Sequence, residues 1–130
     1  MIEMSSKTTE FRIVIRPGRH DFLGLREYVK EFMHQLYSAT NCGVVADFGS
    51  EKFAVGPRTL LPLIIPNLGP FKAGTVFSFN QNSENYLYET CILTVVVEQR
   101  HRELVASMLG DLRGRMLESG SRVEENPLTV

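Results

Sequence analysis

Apolar and polar residues alternate along this chain with two different periods, and each change of period marks an element. In residues 10–16, Phe11, Ile13 and Ile15 alternate with Arg12, Val14 and Arg16. That period of two predicts a strand with one face in a core. Pro17-Gly18 stops it. Over residues 21–40 the period lengthens: Phe22, Leu25, Val29, Phe32, Met33 and Leu36 recur at helical spacing, with Arg26, Glu27, Lys30, Glu31, His34 and Gln35 on the opposite face. Asp21 suits the N-cap, where a carboxylate accepts from a free backbone N–H. Asn41-Cys42-Gly43 supplies a left-handed stop.

The pattern then reads as a hairpin. Residues 44–48 and 51–55 flank Gly49-Ser50, a pair suited to a two-residue type II′ turn. With that loop Asp47 faces Lys52, Ala46 faces Phe53 and Val44 faces Val55. Val44, Ala46, Phe53 and Val55 fall on the core face, and the Asp47–Lys52 pair on the outer one.

Residues 57–74 break both periods. Four of the six prolines lie here, at Pro57, Pro62, Pro66 and Pro70. They forbid a regular helix or a central strand. Leu60, Leu61, Leu63, Ile64, Ile65, Leu68 and Phe71 sit between them, so the segment is an apolar arm that has to cover something. Two further strands are expected, at 75–80 and 86–99, paired as a hairpin through a polar turn. A last helix spans 100–118, with Leu104, Val105, Met108, Leu109, Leu112 and Met116 as its apolar side, and Ser119-Gly120 ends it.

This order predicts an α+β fold: an antiparallel sheet of about five strands with two helices on one face. The succession is strand, helix, two strands, arm, two strands, helix, which is compatible with a ferredoxin-like arrangement. Residues 10–118 form the single domain. Residues 1–9 and 119–130 are polar and read as flexible tails.

Composition narrows the function classes. The chain has 130 residues, of which 43% are hydrophobic and 22% charged, so it can bury a core without metal or disulfide. A formal net charge of -1 argues against broad nucleic-acid or membrane-surface binding. Cys42 and Cys91 lack CxxC spacing and read as reduced, buried residues. The first residues are polar, without a signal-peptide core, and no apolar run is long enough to span a membrane. The expected location is the cytoplasm, or the host cytoplasm for a viral protein.

No motif for a cofactor, a metal or a catalytic centre stands out, and none is expected. Two features invite an interaction reading. Ala106, Gly110 and Gly114 recur every fourth residue along the last helix, although a helical glycine costs roughly 1 kcal/mol relative to alanine. Such a stripe lets another backbone approach closely: this chain's own sheet or first helix, or the same helix of a second subunit. The arm offers Leu60, Leu61, Leu63, Ile64, Ile65 and Phe71, either to this chain's own sheet or to a second subunit or protein partner. A weaker candidate is the loop after the first strand. There Arg16, Arg19 and His20 precede a helix N-terminus, a place that favours anions.

The function expected from these features is a non-enzymatic structural or interaction protein. It works as a homo-oligomer, in the first instance a dimer, through the last helix and the arm. Small self-contained domains of this kind are common among viral and phage accessory and assembly proteins. One alternative is a small enzyme or anion-ligand-binding domain with a pocket between sheet and arm. A second is a nucleic-acid-binding module using an arginine patch of Arg12, Arg16, Arg19, Arg100 and Arg102.

Overall fold

The computed structural model describes residues 7–16, 22–49, 51–79 and 90–125. The alternating residues predicted as strands do form them: β1 (Thr8–Arg16), β2 (Gly43–Asp47), β3 (Lys52–Val55), β4 (Phe77–Phe79) and β5 (Cys91–Glu98), joined by β6 (Arg122–Glu125). Together they make one antiparallel sheet in the order β4-β3-β2-β5-β1-β6. The helices are α1 (Phe22–Thr40), α2 (Leu61–Ile64) and α3 (Arg102–Glu118).

The topology follows from two interleaved strand–helix–strand units. In β1-α1-β2 the two strands straddle β5, and in β5-α3-β6 the two strands straddle β1. The stretch β2-β5-β1-β6 is therefore the interleaved order of a ferredoxin-like sheet. Strands β3 and β4, with the arm between them, extend it past β2.

The hairpin forms in the expected register, with Val44 opposite Val55, Ala46 opposite Phe53 and Asp47 opposite Lys52. Gly49 takes the positive φ of +87° that such a turn requires. Helix α1 ends as its sequence implies: Asn41 adopts φ +55° and its N–H donates to the Tyr37 carbonyl at 2.7 Å. Asp21, its expected cap, lies outside the described residues.

Three expectations are corrected. Strand β4 does not pair with β5 but with β3, because both edges of β5 are taken by β1 and β2. Residues 119–130 are not wholly a tail. Helix α3 closes on Gly120 at φ +89°, with Gly120 N–H donating to Leu117 O and Ser121 N–H to Met116 O. This double bond pattern reverses the chain, which then adds β6 to the free edge of β1. Similarly Thr8 and Thr9, placed in the N-terminal tail, pair with Glu98 and Val97.

Helices α1 and α3 cover one face of the sheet. There Ile13, Ile15, Val44, Ala46, Phe53, Val55, Leu93, Val95 and Val97 pack with Val29, Met33, Leu36, Val105, Leu109 and Leu112 in the main core. The arm covers part of the other face. Leu61 and Ile65 are buried against Ala54, with Phe77, Phe79 and Phe71 at the margin. Two glycines make room for it. A Cβ on Gly56 would lie 3.0 Å from Leu61 Cγ, and one on Gly43 would lie 3.4 Å from Leu61 Cδ2. Leu61 thus fills a recess left by the missing side chains of Gly43 in β2 and of Gly56, just past the end of β3. The Asp47–Lys52 pair lies on this same face, so Lys52 is 7% exposed rather than solvated as the outer face of a hairpin would suggest.

Two measurements check this packing. Leu61→Ala is expected to lower stability in urea by about 2–4 kcal/mol, whereas Leu63→Ala, at a residue 60% exposed, changes it by no more than about 0.5 kcal/mol. Gly56→Ala brings a Cβ to 2.7 Å from the Gly43 Cα, a backbone atom, and is expected to cost about 1–3 kcal/mol.

Candidate functional site

Helix α3 buries one side and presents the other. Val105, Leu109, Leu112 and Met116 are buried. At about 100° per residue, the side away from them carries Glu103, Ser107, Gly110, Asp111, Gly114 and Glu118, with Ala106 and Leu117 at its margin, all of them exposed. A Cβ added at Gly110 or at Gly114 meets nothing within 4 Å. The stripe therefore does not serve packing within the chain. Charged side chains stand on this side, as on other helix faces turned to water, but they alternate with two glycines, and Leu117 at its margin is 47% exposed.

The arm divides differently from the sequence expectation. Leu60, Leu61 and Ile65 are buried in their own chain, at 6%, 0% and 2% exposure, so they are spent on the sheet and offer no surface to a partner. Ile64 and Phe71 are half-buried beside them, Phe71 stacked on Phe77 with ring centroids 5.2 Å apart. Leu63 remains outward, at 60% exposure.

The loop proposed for anions is only partly described. Arg16 forms an ion pair with Glu124 of β6 at 3.1 Å, which neutralises it. Arg19 and His20 lie outside the described residues. The described arginines of the supposed nucleic-acid patch do not all come together either. Arg16 and Arg100 stand at opposite ends of the β1–β5 ladder, and Arg100 pairs with Glu98 at 3.0 Å. His34 is exposed on α1, and His101 is half-buried in the 3₁₀ turn at Gln99–His101 that leads into α3. Among the described residues no group of three or more His, Cys, Asp or Glu is placed to hold a metal ion. No described helix is long and apolar enough to cross a membrane.

A second concave feature lies where the arm leaves the sheet uncovered. It is a cleft of about 380 Å³ roofed by arm residues 63–66. Its floor consists of parts of two cross-strand rows: Arg12–Thr94–Val45, and Ile92–Asp47–Lys52–Phe79. Arg12 lines it, and its Nε is buried without a hydrogen-bond partner. A buried donor left unpaired costs about 1–3 kcal/mol. Sequence reading offered a pocket between sheet and arm as one alternative, but with Arg16, Arg19 and His20 for an anion, and it placed Arg12 in the nucleic-acid patch instead. The period-2 pattern of β1 puts Arg12 on the face away from the helices, but the strand order that brings it beside Thr94 is invisible in it.

Both thiols are withdrawn from chemistry. Burial pushes the Cys91 pKa far above its ordinary value, helped by the Asp47 carboxylate, and burial also raises that of Cys42. Neither supplies a thiolate nucleophile near neutral pH.

Compared with known proteins, the chain matches no family model, no curated protein and no solved structure.

The thiols give a direct check. Ellman's reagent is expected to leave both untouched in the native protein at pH 8 and to titrate two equivalents in urea. Because the folded-state pKa of Cys91 is raised, its contribution to stability is complete below the ordinary value of 9.0 and is lost as pH rises above it. The unfolding free energy from urea titration should therefore decline above that pH by about 1.4 kcal/mol per pH unit for this thiol, a component that Cys91→Ala removes.

Proposed function

We propose that this protein is a non-enzymatic interaction protein that acts as a homodimer, docked through the outward strip of α3. One observation carries this reading: Gly110 and Gly114 face open space on the side of the helix opposite its core. Each costs the helix roughly 1 kcal/mol relative to alanine, and nothing among the described residues recovers that cost. A closely approaching helix does, because small residues let two backbones come near and gain dispersion contacts.

The occupant that fits is a second copy in an antiparallel crossing. With Gly110 at the two-fold axis, Ala106 of one copy meets Gly114 of the other, and Glu103 meets Leu117. Arg113, just beside the strip, comes within side-chain reach of Glu103 on the second copy. Such an interface is isologous. The arm contributes little to it, since Leu60, Leu61 and Ile65 are buried at home. An interface built on one helix face is small, near the lower limit of about 1,000 Å² for stable association, so micromolar affinity is expected.

Light scattering on the full chain at about 100 μM, well above a micromolar dissociation constant, is expected to give twice the chain mass. Gly110→Leu with Gly114→Leu is expected to give a monomer whose melting temperature is raised rather than lowered, because leucine is the better helix former at an exposed site. A monomeric wild type at that concentration, or a double variant that remains dimeric, would sink the reading.

A further inference from the structure

We infer that the cleft beneath the arm is a binding site for a small monocarboxylic acid with an aliphatic or aromatic body. Its lining is mixed. Arg12 stands directly opposite Thr94 on the neighbouring strand. The sheet also contributes Val45, paired with Thr94, and Ile92, two residues along β5, and the arm contributes Leu63 and Ile64. An amphipathic ligand suits such a lining: its body displaces water from the apolar side chains and its head group meets the polar pair.

The charges select the head group. Lys52 is 7% exposed and faces Asp47 across the β2–β3 pair, so opposite charges meet at that position. Asp47 also accepts from the Gly49 N–H at 2.8 Å. Arg12 differs, with a buried Nε that finds no acceptor and no described ion pair to satisfy it. That Nε is closed to a ligand, but the terminal Nη groups of the same guanidinium offer a planar fork of donors that a carboxylate fills with two parallel hydrogen bonds, and the Thr94 hydroxyl adds a third donor beside it. Glu10 lies two residues from Arg12 on the same strand face, exposed at the mouth of the cleft. Its negative charge disfavours a dianion. No glycine-rich loop is present among the described residues to cradle phosphate. A single carboxylate on an apolar body meets all of these conditions.

The probes are 4-methylpentanoate, its neutral isostere 4-methylpentanamide, and inorganic phosphate, each titrated into the ¹⁵N-labelled full chain and followed by amide chemical shifts. The expected result is saturable shifts for the acid in β1, β5 and residues 63–66. The amide is expected to bind about tenfold or more weaker, since it loses the charge-assisted pair, and phosphate to leave those signals unmoved. Arg12→Gln is expected to weaken the acid about tenfold while leaving the amide unchanged. Should that variant fail to fold, the comparison of acid with amide on the wild type decides the matter alone. Equal binding of acid and amide, no shifts from the acid up to about 20 mM, or phosphate binding more tightly than the acid would each overturn the inference. The cleft lies on the sheet face away from α3, so either result is independent of oligomeric state.

Discussion

Between Cys91 and Glu98 the chain is hydrogen-bonded on both edges, by β1 on one side and β2 on the other. Its residues on the helix side, Cys91, Leu93, Val95 and Val97, are buried, and Val96 on the opposite face is buried as well. Every other placement answers to this double pairing. Strand β4 has to take the outer edge of β3, β6 has to take the outer edge of β1, and α1 and α3 cross the same face because each links strands that straddle a neighbour. A strand paired this way needs β-branched residues that pack on both faces, which is the composition found at Val95-Val96-Val97.

The two faces of the sheet are finished by different means. Two amphipathic helices seal one face with large apolar side chains. The other relies on a proline-punctuated arm that cannot supply regular hydrogen bonding, and one turn of helix at Leu61–Ile64 anchors it by setting Leu61 in the recess at Gly43 and Gly56. An arm fixed at one point covers only part of a six-stranded sheet. The remainder is the cleft, where charged residues sit on a sheet face that is neither core nor open water. Arg12 with its unpaired Nε and Lys52 at 7% exposure belong to that intermediate setting, in which electrostatic and hydrogen-bonding preferences are sharpened by the partial exclusion of solvent.

Helix α3 carries the complementary anomaly. Its buried side is ordinary, and its outward side sets two glycines among the charges that keep an exposed helix face soluble. Small residues there weaken the helix and leave its backbone accessible. The two anomalies lie on opposite faces of the sheet, so a self-association surface on α3 and a small-molecule site beneath the arm would not compete for space.

Much of the fold was written locally. The period of two in residues 10–16, the helical period of 21–40 and the hairpin centred on Gly49 each depend on near neighbours, and each element formed with its expected face inward. The prolines of 57–74 announced a segment without a regular helix or a central strand. That holds except for the one turn of helix at Leu61–Ile64, where Pro62 sits in the first turn that tolerates it. The apolar residues between the prolines announced that the segment covers a surface. Sequence alone thus determined the class, the two helices, the hairpin register and the arm. Tertiary structure alone decided which strand edges met, because pairing between segments far apart in the chain is settled by which edges remain free once β5 is enclosed. That is why β4 went to β3 and why Arg122–Glu125 became a strand. It also decided the fate of the candidate residues. Leu61 and Gly110 look equally suited to close packing in sequence, yet Leu61 found its recess inside the chain while Gly110 faces open space. Which side of an element another element covers is a property of the assembled sheet, not of the element's own pattern.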